Sequence, residues 1–401
     1  MGKLRNSVCV VSEFSWGSPM KTRQLGIYLS AVTALTAAGM LWAANTPTTG
    51  AASGPTKSAL TFAPLPPGAP IYSHADVQAS SSVYVQGKSP YKELTASHNS
   101  IDMTVGGTDV SILWNPPAQF GFKANGTTSP LQFNGTLGAL SPANFMIGKT
   151  QKYSLAFPHA SMAAGGKGIS LLIRSGGVQR GSVAGQTVSL YDENTDGVYS
   201  MTDAIRVDNG SSAMAVFTPI TKYLSTKNGI VEITEIAEDG SSITTTPHVG
   251  KTGKISWNPM LDGNVEVHAV FGSKDGTLNF ELTSRGGSPS EAMVVPGDYE
   301  FLYGTVFSGR LNKISANIVP HTGGTITVPD DGGTVKADWG KAFNFEFVAT
   351  KKGNKLDISP ASIHLKGKGG EEYTNLVYEA NPEVFLIADG RATSLGRMEF
   401  G

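Results

Sequence analysis

The feature that most constrains the fold is the alternation of apolar and polar residues in short runs. A period of two, rich in β-branched and aromatic residues, is typical of half-buried β-strands, and no long stretch has the period of an amphipathic helix. The runs are ISLLIR (169–174), TVSLY (187–191), IVEITEI (230–236), NVEVHAVF (264–271), YEFLYGTV (299–306), KISANIV (313–319) and FNFEFVA (343–349). Asn-Gly or Asp-Gly pairs, which tolerate the positive φ of tight hairpin turns, lie between such runs. They occupy 228–229, 239–240, 262–263, 275–276 and 389–390. The sequence therefore predicts an all-β fold of antiparallel strands.

The domain organisation follows from chain length and from local shifts in composition. A chain of 401 residues is too long for one ordinary domain. Residues 45–70 are dominated by Pro and small residues, which is typical of a linker. We expect two antiparallel β-sandwich domains after it, at 71–250 and 251–401, with the boundary near PHVGKTGK (247–254). Two related domains would explain why WNP occurs at both 114–116 and 257–259, but we favour two strand ends that coincide by chance, because little else aligns between the two halves.

The N-terminal residues 1–44 have the layout of a leader that directs export. Lys21 and Arg23 precede an apolar stretch over 25–42, and Ala43-Ala44 supplies small residues near a cleavage point. This order is that of a secretory signal peptide, for which Met20 offers an alternative start. An uncleaved N-terminal anchor is the alternative, because the apolar stretch is near the length that spans a bilayer. In either case we expect the rest of the chain to be secreted, periplasmic or at the cell surface.

Charge and cysteine content exclude several classes of partner and site. Lys and Arg number 31 against 32 Asp and Glu, for a formal net charge of −1. This balance predicts no binding of nucleic acid or of an acidic membrane surface. Cys9 is the one cysteine, so the chain has neither an internal disulfide framework nor a cysteine-based metal site.

The segment DENTDGVYSMTD (192–203) has the spacing of a calcium-binding loop. Oxygen ligands at alternate positions point into one hollow as the backbone curls, a Gly at position 6 allows the sharp turn, and position 12 closes the shell. Calcium prefers six to eight hard oxygen ligands, which these residue types supply. The candidate ligands are Asp192, Asn194, Asp196, the Val198 carbonyl, Ser200 and Asp203, with Gly197 at the bend. An Asx-rich turn that binds no ion is the alternative interpretation.

The loop resembles the calcium loops of EF-hands and, with Asp at its last position, those of dockerin modules. The resemblance covers 12 of 401 residues and implies a bound calcium ion. A strand-like run (187–191) leads in, and 204–207 leaves room for one helical turn at most before Asp208-Asn209-Gly210. Because EF-hand sensors need flanking helices, this context favours a structural role for the ion. Glu193 and Asp208 are off the ligand register.

A second resemblance lies in the C-terminal half, at Pro296-Gly297-Asp298-Tyr299. This turn feeds a strand that we expect to carry Tyr299, Phe301 and Tyr303 on one face. It resembles the P-G-x-Y turn and strand of transthyretin-like and carboxypeptidase-regulatory-like β-sandwiches, which implies a non-catalytic module on an exported protein. With the calcium loop, the chain is similar to secreted bacterial β-sandwich proteins.

No motif in the sequence indicates catalysis. The chain lacks H-E-x-x-H, G-x-S-x-G and a P-loop, and His268 and His364 have the setting of ordinary strand histidines. We therefore expect a non-enzyme with a structural or interaction role, whose partner is an unidentified surface partner or a polysaccharide.

Two other functions remain open. A carbohydrate-binding module is the second hypothesis, with core packing as the alternative role of its aromatic rings. A hydrolase is the third hypothesis, because two carboxylates across a cleft suffice for glycoside hydrolysis. The possible sugar platforms are Trp114, Trp257, Trp339 and Tyr299. The carboxylates considered are Glu232, Glu235, Glu300, Glu371 and Glu372, all of which have the setting of solvated strand or loop residues.

Overall fold

The computed structural model confirms the all-β prediction. Its described part contains strands, turns and loops, with no α-helix and with most strand pairs antiparallel. The structure describes residues 54–65, 71–72, 91–95, 98–115, 119–132, 139–162, 168–208, 215–259, 265–308, 313–320, 324–340, 343–352, 355–358, 362–374, 383–388 and 391–397. The predicted leader (1–44) and Cys9 lie outside these ranges, and no helix within them is long and apolar enough to cross a membrane.

Along the chain the described strands divide into three consecutive groups, which do not coincide with the sheets. The first group is β1 (Thr56–Pro64), β2 (Ile71–Tyr72), β3 (Tyr91–Thr95), β4 (Ser100–Val105), β5 (Thr108–Asn115), β6 (Gln119–Ala124), β7 (Thr127–Leu131), β8 (Leu140–Ile147), β9 (Gln151–Met162) and β10 (Gly168–Ser175). The second group is β11 (Gly177–Val183), β12 (Gln186–Tyr191), β13 (Ala204–Val207), β14 (Ala215–Val216), β15 (Thr218–Pro219), β16 (Tyr223–Thr226), β17 (Gly229–Ile236) and β18 (Ser242–Pro247). The third group is β19 (Gly253–Trp257), β20 (Val265–Ser273), β21 (Asn279–Arg285), β22 (Ser290–Val294), β23 (Gly297–Ser308), β24 (Lys313–Val319), β25 (Ile326–Val328), β26 (Gly333–Ala337), β27 (Asn344–Glu346), β28 (Ala349–Lys352), β29 (Lys355–Ile358), β30 (His364–Lys366), β31 (Glu372–Thr374), β32 (Glu383–Ala388) and β33 (Arg391–Arg397).

Two four-stranded sheets, β4-β5-β6-β7 and β3-β10-β9-β8, form what we call the N-terminal sheet pair. Alternate residues of β5, among them Val110, Ile112 and Trp114, are buried. They share one hydrophobic cluster with Leu155 and Leu171 of the other sheet. The pair therefore encloses a core between two antiparallel sheets, in the manner of a β-sandwich.

A single eight-stranded sheet, β15-β13-β12-β11-β1-β18-β17-β16, follows and is called here the middle sheet. Its strand β1 corrects the predicted linker (45–70), because Thr56–Pro64 pairs with β11 on one side and with β18 on the other. Leu60 of β1 is 4% exposed and belongs to the core of this sheet. The small and Pro-rich neighbours of β1 gave this segment the composition of a linker, while its pairing partners lie more than a hundred residues away in sequence.

The C-terminal sheet pair consists of β22-β19-β26 and of the sheet β21-β20-β23-β24-β31-β30-β27, to which β25 adds. The P-G-D-Y segment starts β23, as expected, and Tyr299 and Phe301 enter the core of this pair. Tyr303 joins a different cluster with Val270, because β23 has one extra residue, Leu302, opposite the step from Val270 to Phe271 of β20, and this bulge shifts the register. The prediction of three aromatic rings on one face is therefore wrong for Tyr303, since a bulge inverts the alternation of side chains.

Three of the predicted tight turns are confirmed. The pairs at 228–229, 239–240 and 275–276 lie where β16–β17, β17–β18 and β20–β21 form antiparallel hairpins. The other two, at 262–263 and 389–390, lie outside the described residues. The boundary near 247–254 stays a prediction.

Candidate metal centre

The predicted calcium loop is the connection of a β-hairpin. Strands β12 and β13 are antiparallel, and Tyr191 is the register partner of Ala204. Residues 192–203 therefore bridge two adjacent strand ends, which brings Asp192 and Asp203, the first and last candidate ligands, next to each other. The expectation that a turn follows the loop is wrong, because Ala204–Val207 continues the sheet as β13.

The backbone of the loop curls around the Asp192 carboxylate. The Thr195 and Gly197 amides each donate a hydrogen bond to it at 2.7 Å, and the Asp196 amide donates one at 3.2 Å. Thr195 and Gly197 have φ values of 63° and 80°, the left-handed conformation that produces such a concave row of amides. The predicted sharp bend at Gly197 is therefore present.

Asp203 closes the loop from its other end. Its Oδ2 accepts a hydrogen bond from the Ser200 amide at 2.8 Å, and its Oδ1 accepts one from the Glu193 amide at 3.2 Å. The Ser200 hydroxyl lies 3.5 Å from Asp203 Oδ2. Both end carboxylates, of Asp192 and Asp203, are 0% exposed.

The intermediate candidates face solvent. Asn194, Asp196 and Val198 are exposed, and Asn194 and Asp196 hydrogen-bond to each other. Asp196 Oδ1 also accepts a hydrogen bond from the Val198 amide at 2.8 Å. Nowhere among the described residues do three or more His, Cys, Asp or Glu side chains form a group arranged to hold a metal ion. The loop thus assembles Asp192 with Asp203, and Asn194 with Asp196.

The loop also contacts the N-terminal sheet pair, which the sequence did not predict. Tyr153 on β9 donates a hydrogen bond from its hydroxyl to Asp192 Oδ2 at 2.5 Å. The Gly106 amide donates to the Asp196 carbonyl at 2.6 Å, and the Gln151 side chain donates to the Gly197 carbonyl at 3.3 Å. No local pattern marks these three partners, because they are distant in sequence from the loop. Tyr153 is 39 residues from Asp192, and the other two contacts span more residues.

The end carboxylates accept hydrogen bonds but have no cationic side chain beside them within the described part of the chain. Burial raises the pKa of Asp192, with the Asp196 charge adding to the effect, although hydrogen bonds from Tyr153 and the loop amides oppose it. Burial likewise raises the pKa of Asp203 to about 6. Neither carboxylate forms an ion pair with a described Lys or Arg. Carboxylate, amide, hydroxyl and carbonyl oxygens around two such groups fit a hard cation such as calcium.

The rings considered as sugar platforms are core residues. Exposure is 6% for Trp114, 2% for Trp257, 6% for Trp339 and 0% for Tyr299. Trp114 and Trp257 each lie near the end of a strand. Each has a buried indole N–H that has no hydrogen-bond partner among the described residues. Stacking on an exposed sugar is thus not available to these four side chains.

Two further interpretations need correction. Glu371 is 1% exposed and accepts hydrogen bonds from the Gly340 and Gly369 amides at 2.6 and 3.0 Å, so it is not a solvated loop residue. His268 is 0% exposed and lies between Glu266 and Glu281, at 2.7 and 2.5 Å, so it is not an ordinary strand histidine. The sequence does not reveal this burial. Glu266 and His268 alternate with apolar residues along β20, which is the pattern of a half-exposed strand, although β20 is buried on both faces.

No protein-family model, no curated protein and no solved structure matches the chain. A function must therefore be argued from the geometry of the site alone.

Proposed function

We propose that the chain is an exported, calcium-stabilised β-protein with a structural or interaction role at the cell surface or in the periplasm. One observation carries the calcium part of this proposal. The hairpin holds two fully buried carboxylates, Asp192 and Asp203, side by side without an ion pair among the described residues. Burying ionised carboxylates costs several kcal/mol per ion unless a cation or hydrogen bonds compensate.

A calcium ion would balance the negative charge of the loop carboxylates without a change in the backbone conformation of the loop. The amide row around Asp192 already orients the first ligand, and the amides of Glu193 and Ser200 orient the last. Asn194 and Asp196 would exchange their mutual hydrogen bonds for bonds to the ion. The Val198 carbonyl and the Ser200 hydroxyl complete the proposed oxygen set.

Strands on both sides of the loop support a structural role for the ion. The opening of paired helices that makes EF-hand proteins sensors is not available to a β-hairpin. The loop hydrogen-bonds to Gly106, Gln151 and Tyr153, so an ion held there would fasten the middle sheet to the N-terminal sheet pair. At a free calcium concentration of 100 times Kd, such binding adds about 2.7 kcal/mol to the free energy of unfolding.

Export rests on the leader predicted at 1–44, and the partner remains a surface partner or a polysaccharide. The likeness of the P-G-D-Y strand to transthyretin-like modules agrees with a non-catalytic role. None of the four candidate rings is exposed, so none of them supports the carbohydrate-binding alternative.

The proposal is tested by unfolding the full chain in calcium and in chelator. We expect calcium to raise the midpoint of wild type and to raise that of Asp196→Asn less at the same calcium concentration, because this substitution removes the charge of an exposed ligand without creating a cavity. Glu193→Gln is the matched control, because it makes the same charge change at an off-register position of the same loop. Equal calcium responses in Asp196→Asn and Glu193→Gln would overturn the ligand assignment, and no response in wild type would overturn the proposal.

A further inference from the structure

A cavity of about 250 Å³ lies between the middle sheet and the C-terminal sheet pair. Arg206 on β13 and Ser225 on β16 form part of one wall, while Glu281 on β21 and Met293 on β22 form part of the other. The walls are joined directly, since the Ser225 hydroxyl donates to the Met293 carbonyl at 2.7 Å. The candidate calcium loop does not line this cavity.

Glu281 lines the cavity, and one of its carboxylate oxygens has no hydrogen bond to the described residues. Its Oε1 lies 2.5 Å from His268 Nδ1 and accepts a hydrogen bond from the Thr283 hydroxyl at 2.8 Å. The Glu281 side chain is only 9% exposed. Its Oε2 has no hydrogen bond to any residue that the structure describes, and it is not among the buried atoms that lack a partner, so it remains accessible to a ligand.

The contact with His268 fixes the Glu281 carboxylate in position. Both ring nitrogens of His268 face a carboxylate, with Nε2 lying 2.7 Å from Glu266 Oε1. Ionised carboxylates only accept hydrogen bonds, so between two of them both ring nitrogens donate and His268 is an imidazolium. Burial lowers the pKa of His268, but the hydrogen bonds to Glu266 and Glu281 raise it to about 9, in agreement with this assignment.

Arg206 on the opposite wall has donors to spare. Its side chain is 18% exposed, and its ion-pair partner, Asp208, is 3.9 Å away, beyond hydrogen-bond distance. Asp208 lies closer to Arg180, at 2.9 Å. Lys254, another cation of the lining, is paired with Glu291 at 3.2 Å.

The hydroxyl groups of the lining offer acceptors rather than donors. Thr218, Ser225 and Thr226 each donate their hydroxyl proton to a main-chain carbonyl, at 3.1, 2.7 and 2.8 Å. Their remaining lone pairs, with Glu281 Oε2, favour a ligand group that donates several hydrogen bonds. Arg206 favours a ligand group that accepts them.

We propose that this cavity binds a small zwitterion of the amino-acid class, with its ammonium group on Glu281 Oε2 and its carboxylate group on Arg206. A simple amine would leave the guanidinium unpaired, and a simple carboxylate would leave Glu281 unpaired. The volume is many times the roughly 10–15 Å³ that one water molecule needs on the same measure, so the cavity has room for a small organic ligand. Free amino acids are of this size. The site does not rest on the calcium loop or on its ion.

The test is isothermal titration of the full chain with single L-amino acids. L-Alanine is matched with propionate, which lacks the ammonium group, and with ethylammonium, which lacks the carboxylate; D-glucose represents neutral polyols. We expect saturable binding of at least one amino acid, with propionate and ethylammonium weaker than alanine by about tenfold or more if alanine binds. No saturation by any L-amino acid up to about 10 mM, or glucose binding in their place, would overturn the proposal.

Two variants locate the binding. We expect Glu281→Gln and Arg206→Met each to weaken amino-acid binding about tenfold or more, as loss of a charge-assisted hydrogen bond does. Glu232→Gln is the control, since Glu232 pairs with Lys222 on the middle sheet and does not line the cavity. If Glu281→Gln fails to fold by circular dichroism, Arg206→Met decides the question. Unchanged affinity in a folded variant of either residue overturns the two-ended arrangement.

The titrations are repeated in calcium and in chelator. Amino-acid binding that is the same in both supports the cavity site even where the calcium proposal fails. Binding that Asp196→Asn abolishes, with Glu281→Gln and Arg206→Met unaffected, would overturn the cavity site.

Discussion

Replacing Tyr153 with phenylalanine isolates one contact between the N-terminal sheet pair and the loop. Tyr153 is 2% exposed and its hydroxyl donates to Asp192 Oδ2 at 2.5 Å, so the substitution keeps the buried ring and removes only this hydrogen bond. A hydrogen bond to a charged group contributes about 1.5–3 kcal/mol. Asp192 keeps three amide donors, from Thr195, Asp196 and Gly197. We therefore expect a loss near the lower end, about 1.5–2 kcal/mol.

The assay is urea unfolding in chelator, with hydrogen exchange of loop peptides used to assign the transition that contains the hairpin. Tyr299→Phe is the matched control, because the Tyr299 hydroxyl donates at 2.6 Å to the neutral carbonyl of Val295. A bond to a neutral acceptor contributes about 0.5–1.5 kcal/mol. If Tyr153→Phe costs no more than Tyr299→Phe, Asp192 is not held as an ionised acceptor and the electrostatic account of the loop is refuted.

Three other predictions concern the bend, the first strand and the buried histidine. Gly197→Ala places a Cβ atom at a residue with φ of 80° and against the Gly106 backbone, whereas Gly107→Ala has φ of 74° but open space around it. Urea unfolding should therefore show a larger loss of unfolding free energy for Gly197→Ala, since strain of this kind costs of order 1–3 kcal/mol. Equal losses in the two variants would contradict the packing of Gly197 against Gly106. Leu60→Ala should lower the free energy of unfolding by about 2–5 kcal/mol, and the exposed Thr61→Ala should lower it by about 0.5 kcal/mol or less. Small losses in both variants would support the linker interpretation of this segment instead. The folded pKa of His268, about 9, lies above its unfolded value of about 6.5. Its contribution is complete below pH 6.5 and is lost as pH rises through 9, by roughly 3 kcal/mol at most; a stability flat over that range would contradict the imidazolium.

Local patterns in the sequence predict the strands and the turns of this chain well. The alternation over 187–191 and 230–236 corresponds to β12 and β17, and the three Gly-containing pairs within the described residues lie at hairpin turns. These features depend on side chains a few residues apart, which the sequence displays directly. The loop spacing at 192–203 is of the same kind, and its bend at Gly197 has the expected positive φ.

Features set by distant contacts could not be predicted in this way. Strand β1 is recognisable only through its partners β11 and β18, and its composition is that of a linker. Tyr153 reaches Asp192 across 39 residues, and a β-bulge moves Tyr303 to the opposite face. The segment after the loop continues as β13 because pairing with β12 satisfies its backbone groups.

The most direct test of the central claim is a calorimetric titration of the full chain with calcium. The account predicts one ion per chain, bound by wild type and Glu193→Gln and weakened by about tenfold or more in Asp196→Asn, as loss of a charged ligand implies. The absence of saturable binding by wild type, or binding that Asp196→Asn leaves unchanged, would contradict it.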